Sequence, residues 1–401
     1  MNICKIKEVC QVNPPKKIPL SQDTDISFVP MSAVSTDGKV DLSEVITVEK
    51  VKSLSVFKDG DVIFAKITPC MENGKGAVVS NLKNGYGAGS TEFTVLRPNE
   101  THISEKWLYY YLSQKHFRWT CQQNMTGSAG QKRVPAKYLA ECLIPVPPLE
   151  EQQRIVARIE ELFSELDAAV ATLERTKEQL AVYRQAVLKE AFEKYPSEIK
   201  SLSDFIEKPR YGTSKKCEYL DLSSAVPVYR IPNIDYIHGI ISKDDIKSAE
   251  FTDEEKETWK LNPGDILVIR SNGSVSLVGR ASLITESDTD SLFAGYLIRL
   301  RILNQEILYP KYLLHFLSTH EARTYIELKA KSTSGVNNIN SNELKDLKIR
   351  VCNIEHQIAV VSEIESRLSV CHKIEETVNT ALQEAEAMRQ SILKQAFAGE
   401  L

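Results

Sequence analysis

Apolar residues recur at alternating steps of four and three along two stretches of the chain. The first stretch picks out Ile155, Ile159, Leu162, Leu166, Ala169, Leu173, Thr176, Leu180, Tyr183 and Val187, with only Thr176 polar. The second picks out Val360, Ile364, Arg367, Cys371, Ile374, Val378, Ala381, Ala385, Met388 and Ile392, broken only by Arg367. Such spacing is the seam of a long helix that packs on another helix. Neither stretch contains Gly or Pro. Pro147 and Pro148 precede the first, Glu150 and Glu151 suit its first turn, and Pro196 stops it. One helix is therefore expected from Leu149 to Lys194, about 65–70 Å long at ~1.5 Å per residue. A lone helix of that length could not bury its stripe. Two stripes of matching length bury each other, antiparallel if the second carries the chain back along the first.

The remainder has a different texture. Short β-rich runs such as VIFAKI (62–67), FTVLRP (93–98), DILVIR (265–270) and YLIRLRIL (296–303) alternate with Gly- and Asn-rich turns. Trp107–Ser113 and Tyr312–Ser318 read as short amphipathic helices. Each globular part is expected to be α+β.

The chain also repeats itself. Leu149, Glu150, Gln152, Val156, Ile159 and Glu160 face Ile354, Glu355, Gln357, Val361, Ile364 and Glu365, a shift of 205 positions (152 to 357). YRQAVLKEAF (183–192) faces MRQSILKQAF (388–397) at the same shift, and WLYYYLS (107–113) faces YLLHFLS (312–318). GDVIFAKI (60–67) resembles GDILVIRS (264–271) at a shift of 204. The expected fold is an internal pseudo-two-fold repeat: a globular domain at 1–147, a long central helix at 148–196, a second domain at 197–352 and a C-terminal long helix at 353–401.

Composition narrows the classes. The eight cysteines are scattered without a CxxC pair, which suits reduced thiols better than disulfides or a zinc site. No apolar run approaches the 18 or more residues of a membrane span. The N-terminal MNICKIKEVCQVNPPKK has no continuous apolar core. A cytoplasmic protein is expected. The net charge of −4 advertises no nucleic acid in bulk, so any DNA contact must come from local basic loops.

The catalytic motifs fail on inspection. NPPK (13–16) resembles the signature of adenine methyltransferases, but Lys16 cannot stack on a flipped base and no glycine-rich cofactor loop accompanies it. GYGAG (85–89) lacks the G-x-G-x-x-G spacing and opens no helix. There is no GxxxxGK[ST] loop, and the seven histidines show no metal-ligand pairing. The loops are more informative. Lys66 and Thr68 lead into a turn carrying Lys75 (TPCMENGKGA, 68–77), and TGSAGQKRV (126–134) gathers Gln131, Lys132 and Arg133. KPRYGTSKK (208–216) holds Arg210, Tyr211, Thr213, Ser214, Lys215 and Lys216. RSNGSVSLVGR (270–280) and STSGVNNIN (332–340) add Arg270, Asn272, Asn337 and Asn338. Arg and Lys suit guanine edges and phosphates, and Asn and Gln suit adenine edges. The competing reading of each loop alone is a solvated turn. Their recurrence at matching places in both copies favours DNA. These are the candidate DNA-binding residues, with no catalytic, cofactor or metal site.

The pattern resembles the specificity subunit of type I restriction–modification systems. GDVIFAKITPCMENGKGA (60–77), STEFTVLRP (90–98), GSAGQKRVP (127–135), IPVPPLEEQQRI (144–155), YGTSKK (211–216) and LKQAFAGEL (393–401) carry the resemblance, which spans essentially the whole chain. The second copy departs from it where VCNIEHQ (351–357) lacks the paired prolines and STSGVNN (332–338) lacks the Lys-Arg pair. The resemblance implies two target-recognition domains, each followed by a conserved helix, that read the two halves of a split double-stranded DNA site. It implies helices that hold the domains apart and dock two methyltransferase subunits, with restriction subunits joining for cleavage. S-adenosylmethionine, ATP and magnesium are then expected on partner subunits and none in this chain, which would do no chemistry itself. The rival expectation is a coiled-coil scaffold with two protein-binding domains.

Overall fold

The computed structural model describes residues 2–128, 130–220, 224–333 and 335–401. Ala129 of the GSAGQKRVP string and Ser334 of the STSGVNN string lie outside the described residues.

The two long helices run Leu149–Glu193 and Ile354–Ala398. The first begins directly after Pro147 and Pro148, and the Gln152 N–H donates to the Pro148 carbonyl (3.0 Å). The second lacks those prolines and uses a side-chain cap instead, the Asn353 carboxamide accepting from the His356 N–H (2.8 Å). The chain divides into two compact units whose boundaries cut both helices, at Leu173/Glu174 and at Val378/Asn379. The first unit comprises 1–173 and 379–401, and the second comprises 174–378.

In the first unit one four-stranded antiparallel sheet has the order Cys10–Val12, Phe93–Pro98, Val62–Ala65, Gly76–Val78. Another has the order Val45–Thr47, Asp25–Val29, Tyr86–Gly89, Ser55–Lys58, with its two middle strands parallel. The helices Glu105–Leu112 and Lys115–Gln123 follow. The strand Asn2–Lys5 pairs antiparallel with Leu143–Val146, just before the central helix. The core joins the sheet residues Val62, Phe64 and Leu96 to Trp107 and Leu108, to Ile155, Val156 and Ile159 at the start of one long helix, and to Ile392, Leu393 and Ala396 at the end of the other. The Arg389 guanidinium pairs with Asp167 and lies over the Phe163 ring (4.4 Å), and Arg154 donates to the Leu401 carbonyl (2.8 Å). As one helix advances from 154 to 167, its neighbour recedes from 401 to 389, so the two segments are antiparallel.

The second unit repeats this plan. Its main sheet has the order Arg210–Tyr211, Leu297–Leu300, Ile266–Ile269, Ala281–Leu283. A three-stranded sheet sets Ala225–Tyr229 between Lys247–Glu250 and the parallel Leu292–Phe293. Glu198–Ser201 pairs antiparallel with Lys348–Val351. The core takes Val360, Val361 and Ile364 from the start of one long helix and Val187, Leu188, Ala191 and Phe192 from the end of the other. Ion pairs Arg184–Glu375, Arg367–Glu190 and Lys194–Glu363 again run antiparallel. Phe192 meets Tyr312 (4.7 Å) and Phe316 (5.5 Å) as Phe397 meets Trp107 (4.5 Å) and Tyr111 (5.2 Å) in the first unit.

Two polar constructions also occur once per unit. Asp61 is buried and receives the Arg97 guanidinium through two bonds (2.8 and 2.7 Å), and Asp265 receives Arg301 at the same distances. Such bidentate pairs fix both partners in orientation. Gln152, fully buried, accepts from the Ser104 N–H (2.9 Å) and donates to the carbonyls of His102 (2.9 Å) and Pro147 (2.8 Å). Gln357 accepts from the Tyr309 N–H (2.9 Å) and donates to Ile307 (2.9 Å) and Cys352 (2.8 Å). Each glutamine ties the first turn of a long helix to the loop before a short helix of the globular domain.

Candidate nucleic-acid interface

In the first unit the buried strand Val62–Ala65 runs out of its sheet into Lys66, Ile67 and Thr68. Thr126 and the segment 132–134 fold back against this exit. The Lys66 N–H donates to the Glu92 carbonyl (2.9 Å), the Val134 N–H to the Lys66 carbonyl (2.8 Å) and the Thr68 N–H to the Lys132 carbonyl (3.0 Å). Arg133 stands opposite both Ile67 and Thr126 in this ladder. In the second unit Ile266–Ile269 runs out into Arg270 in the same way. The Arg270 N–H donates to the Tyr296 carbonyl (2.9 Å), and the Ile339 N–H to the Arg270 carbonyl (3.0 Å). Ser271 stands opposite Asn338 and Asn272 opposite Asn337, and Lys331 also faces Asn338. The two edges are therefore one construction at the repeat's shift, Lys66 answering to Arg270 and Arg133 to Asn338.

This register gathers Lys66, Thr68, Gln131, Lys132 and Arg133 on the first edge. Gln131 and Lys132 are exposed. The Arg133 guanidinium grips the Glu92 carboxylate (Nη2 to Oε1 2.8 Å, Nε to Oε2 3.0 Å) and donates through Nη1 to the Gln131 carbonyl (2.9 Å). That bond holds the Glu92 carboxyl below the usual carboxylate range. The Thr68 hydroxyl donates to Glu72 (2.7 Å). Lys75 lies apart, half-buried, its ammonium donating to the Met31 carbonyl (2.8 Å).

The second edge gathers Arg270, Asn272, Asn337 and Asn338 with Tyr211. The Arg270 guanidinium lies over the Tyr211 ring (4.5 Å) and donates through Nε to the Asn338 carboxamide oxygen (3.1 Å). The Tyr211 hydroxyl accepts from the Ser341 N–H (3.0 Å), fixing the ring. Asn337 donates to the Gly273 carbonyl (2.9 Å), and Asn272 accepts from the Ser274 N–H (2.9 Å). The rest of the 208–216 string does not join them. Arg210 reaches the Thr258 carbonyl (3.3 Å). Thr213 is only 2% exposed, its hydroxyl accepting from the Lys215 N–H (3.1 Å). Lys215 is spent on Glu255 (2.6 Å) and the Glu250 carbonyl (2.9 Å) and Lys216 on Glu218 (2.6 Å), while Ser214 is exposed.

Glu92 and the Ser341 N–H, which hold Arg133 and Tyr211, carry no signal in the sequence. Glu92 stands in the quoted string STEFTVLRP, but its partner Arg133 is 41 positions away and no local pattern links them. Among the described residues, no group of three or more His, Cys, Asp or Glu side chains is arranged to hold a metal ion. No described helix is long and apolar enough to cross a membrane.

Two like edges, each built onto a domain tied to the same pair of antiparallel helices, define a duplicated two-domain protein. The family model of the type I restriction modification DNA specificity domain matches residues 1–179 and again 195–384, and the chain belongs to that family. It is a non-catalytic DNA-recognition subunit with two recognition domains. It is 26% identical, over a match 475 positions long with its gaps, to the type I restriction enzyme EcoEI specificity subunit of Escherichia coli, covering 94% of this chain and 79% of that one. It is 28% identical over 385 residues to the EcoKI specificity subunit of Escherichia coli strain K12, covering 91% and 80%. The fold matches a chain from a solved structure described as the structural basis underlying complex assembly and conformational transition of the type I R-M system. The TM-score is 0.76 at 22% identity, over 100% of this chain and 98% of that one.

Proposed function

We propose that the edge built from Lys66, Thr68, Gln131, Lys132 and Arg133 reads one half of a split DNA site and that the edge built from Tyr211, Arg270, Asn272, Asn337 and Asn338 reads the other. Lys75, Arg210, Thr213, Ser214, Lys215 and Lys216 shape or flank these edges. The paired helices dock two methyltransferase subunits, and restriction subunits complete the assembly in the cytoplasm. S-adenosylmethionine, ATP and magnesium serve those partners. The observation that carries the reading is the shared backbone ladder of the two edges, which presents different side chains from equivalent positions. A common frame with unlike side chains is what two readers of unlike half-sites require. Phosphate contacts position such a protein and base contacts specify the sequence.

The test is selection from randomised duplex DNA by the full chain, alone and with its methyltransferase subunits. The expected result is one motif of two short specified halves around an unspecified spacer, with affinity falling steeply as salt rises. Absence of any enriched motif, with no affinity even at low salt, would favour the protein-binding scaffold instead.

A further inference from the structure

The two edges differ in where their arginine comes from. In the first unit Arg133 sits on the returning strand of the ladder, at the place that Asn338 takes in the second. In the second unit Arg270 sits on the outgoing strand, at the place of Lys66. Each is nevertheless immobilised. Arg133 is held edge-on by the Glu92 carboxylate and again by the Gln131 carbonyl, and it remains accessible, its side chain 41% exposed. A guanidinium has five N–H donors. Among the described residues these bonds use three, leaving one on each terminal nitrogen. Arg270 is held by the Asn338 oxygen at Nε, by the Gly295 carbonyl at Nη1 (3.4 Å) and by the Tyr211 ring beneath its plane. Among the described residues it too keeps free N–H groups on both terminal nitrogens.

A planar cation whose Nε edge is occupied and whose terminal nitrogens are free is set up for two parallel hydrogen bonds to a pair of acceptors. Guanine offers such a pair, O6 and N7, in the major groove. A phosphate can take the same fork, but it also accepts a lysine as a point charge, so a fork fixed in advance matters most where the two acceptors are themselves fixed, as on a base edge. Fixing the fork beforehand also lowers the ordering cost of binding.

We infer that Arg133 and Arg270 each read a guanine, one in each half-site, and that Glu92 in the first domain and Tyr211 with Asn338 in the second are the positioning residues that aim them. This rests on the reading of the two edges as DNA-recognition surfaces. Because the arginines come from opposite strands of the ladder, the two guanines need not occupy matching places in the two halves.

The experiment is the same selection from randomised split duplexes, run with wild type and with Arg133→Lys, Arg270→Lys, Glu92→Gln and Tyr211→Leu, each checked for cooperative thermal unfolding. Lysine keeps the charge and loses the fork. Arg133→Lys should relax one guanine of one half-site by about 10- to 100-fold and leave the other half untouched. Arg270→Lys should do the same to one guanine of the opposite half. Glu92→Gln should weaken the guanine that Arg133→Lys relaxes, and Tyr211→Leu the one that Arg270→Lys relaxes. The inference is overturned if the folded lysine variants keep the wild-type motif, if the relaxed position is not guanine, or if binding weakens equally for every sequence, which would make the arginines phosphate contacts. A wild-type chain that selects no motif overturns the underlying DNA reading instead.

Discussion

At the scale of single residues, what a polar side chain can meet is set by the partners its own domain already gives it. Lys75, Thr213 and Lys215 stand in loops of the right composition, yet each turns inward to a carbonyl, an N–H or a carboxylate of its own domain. Composition cannot separate a lysine facing solvent from one capping a distant carbonyl. The repeat also hides differences that only contacts reveal. Asp167 pairs with Arg389 in the first unit, and His372 stands at the equivalent place beside Arg184 in the second. The His372 ring meets the His238 ring edge-on (4.6 Å), and His238 is paired in turn with Asp235 (2.7 Å). Burial, then Arg184, then His238 push the His372 pKa below its ordinary value, outweighing the opposing pull of Glu375 and Asp235. The folded state therefore binds the proton more weakly than the unfolded chain. The stability tied to His372 is fully present above about pH 6.5 and is lost as pH falls from there toward the depressed folded value. Unfolding midpoints measured from pH 7.5 down to 5 should fall less for His372→Asn than for wild type. Parallel curves would mean that the imidazole titrates alike in both states.

At the scale of elements, the two long helices were legible because 45 residues without Gly or Pro leave few alternatives. Their packing face was legible only in part. Ala169 and Tyr183 on one seam and Ile374 and Met388 on the other are exposed, at equivalent positions of the repeat. The buried stripe instead steps through Ile155, Ile159, Leu162, Leu166, Val170, Leu173, Thr176, Leu180, Arg184, Val187 and Ala191, none of them exposed. That advance follows the 3.6-residue period of a straight helix, which drifts off a strict heptad by about 20° in each repeat. The matching glutamines were visible as a repeat, but their role was not, because their partners are main-chain groups about 50 residues upstream. Removing one leaves a buried N–H and two carbonyls without partners, at roughly 1–3 kcal/mol each before water relieves some of the loss. Gln152→Ala and Gln357→Ala should each lower stability by about 2–4 kcal/mol in urea unfolding. Gln153→Ala, one position along on the exposed face, should change it by less than about 0.5 kcal/mol. Equal effects at 152 and 153 would show that the buried amide is not an anchor.

At the scale of the whole molecule, the order domain, helix, domain, helix was readable along the chain, whereas the compact units are not successive segments. Each unit takes part of both helices, and the two cuts, after Leu173 and after Val378, lie 205 positions apart like the repeat itself. Antiparallel pairing forces this, because the start of one helix lies beside the end of the other. The same symmetry bears on the chain ends. In the second unit Lys194, Tyr195, Pro196 and Ser197 carry the chain from the helix end at Glu193 to the strand Glu198–Ser201, which pairs with Lys348–Val351. In the first unit the helix ends at Ala398 and the strand Asn2–Lys5 pairs with Leu143–Val146. Joining Leu401 directly to Met1 in this 401-residue chain would place Gly399, Glu400, Leu401 and Met1 between that helix and that strand, again four residues. The first-unit junction would then copy the connection that already exists in the second. A permuted chain joined there and opened between Tyr195 and Pro196 should fold, unfold cooperatively and select the same split DNA motif as wild type. Opening the same joined chain inside the central helix, at Leu166, should abolish the fold, since it severs packed helix rather than a connecting turn. If the first permutant proves as insoluble as the second, the two connections are not equivalent and the chain ends are not bridged by so short a link.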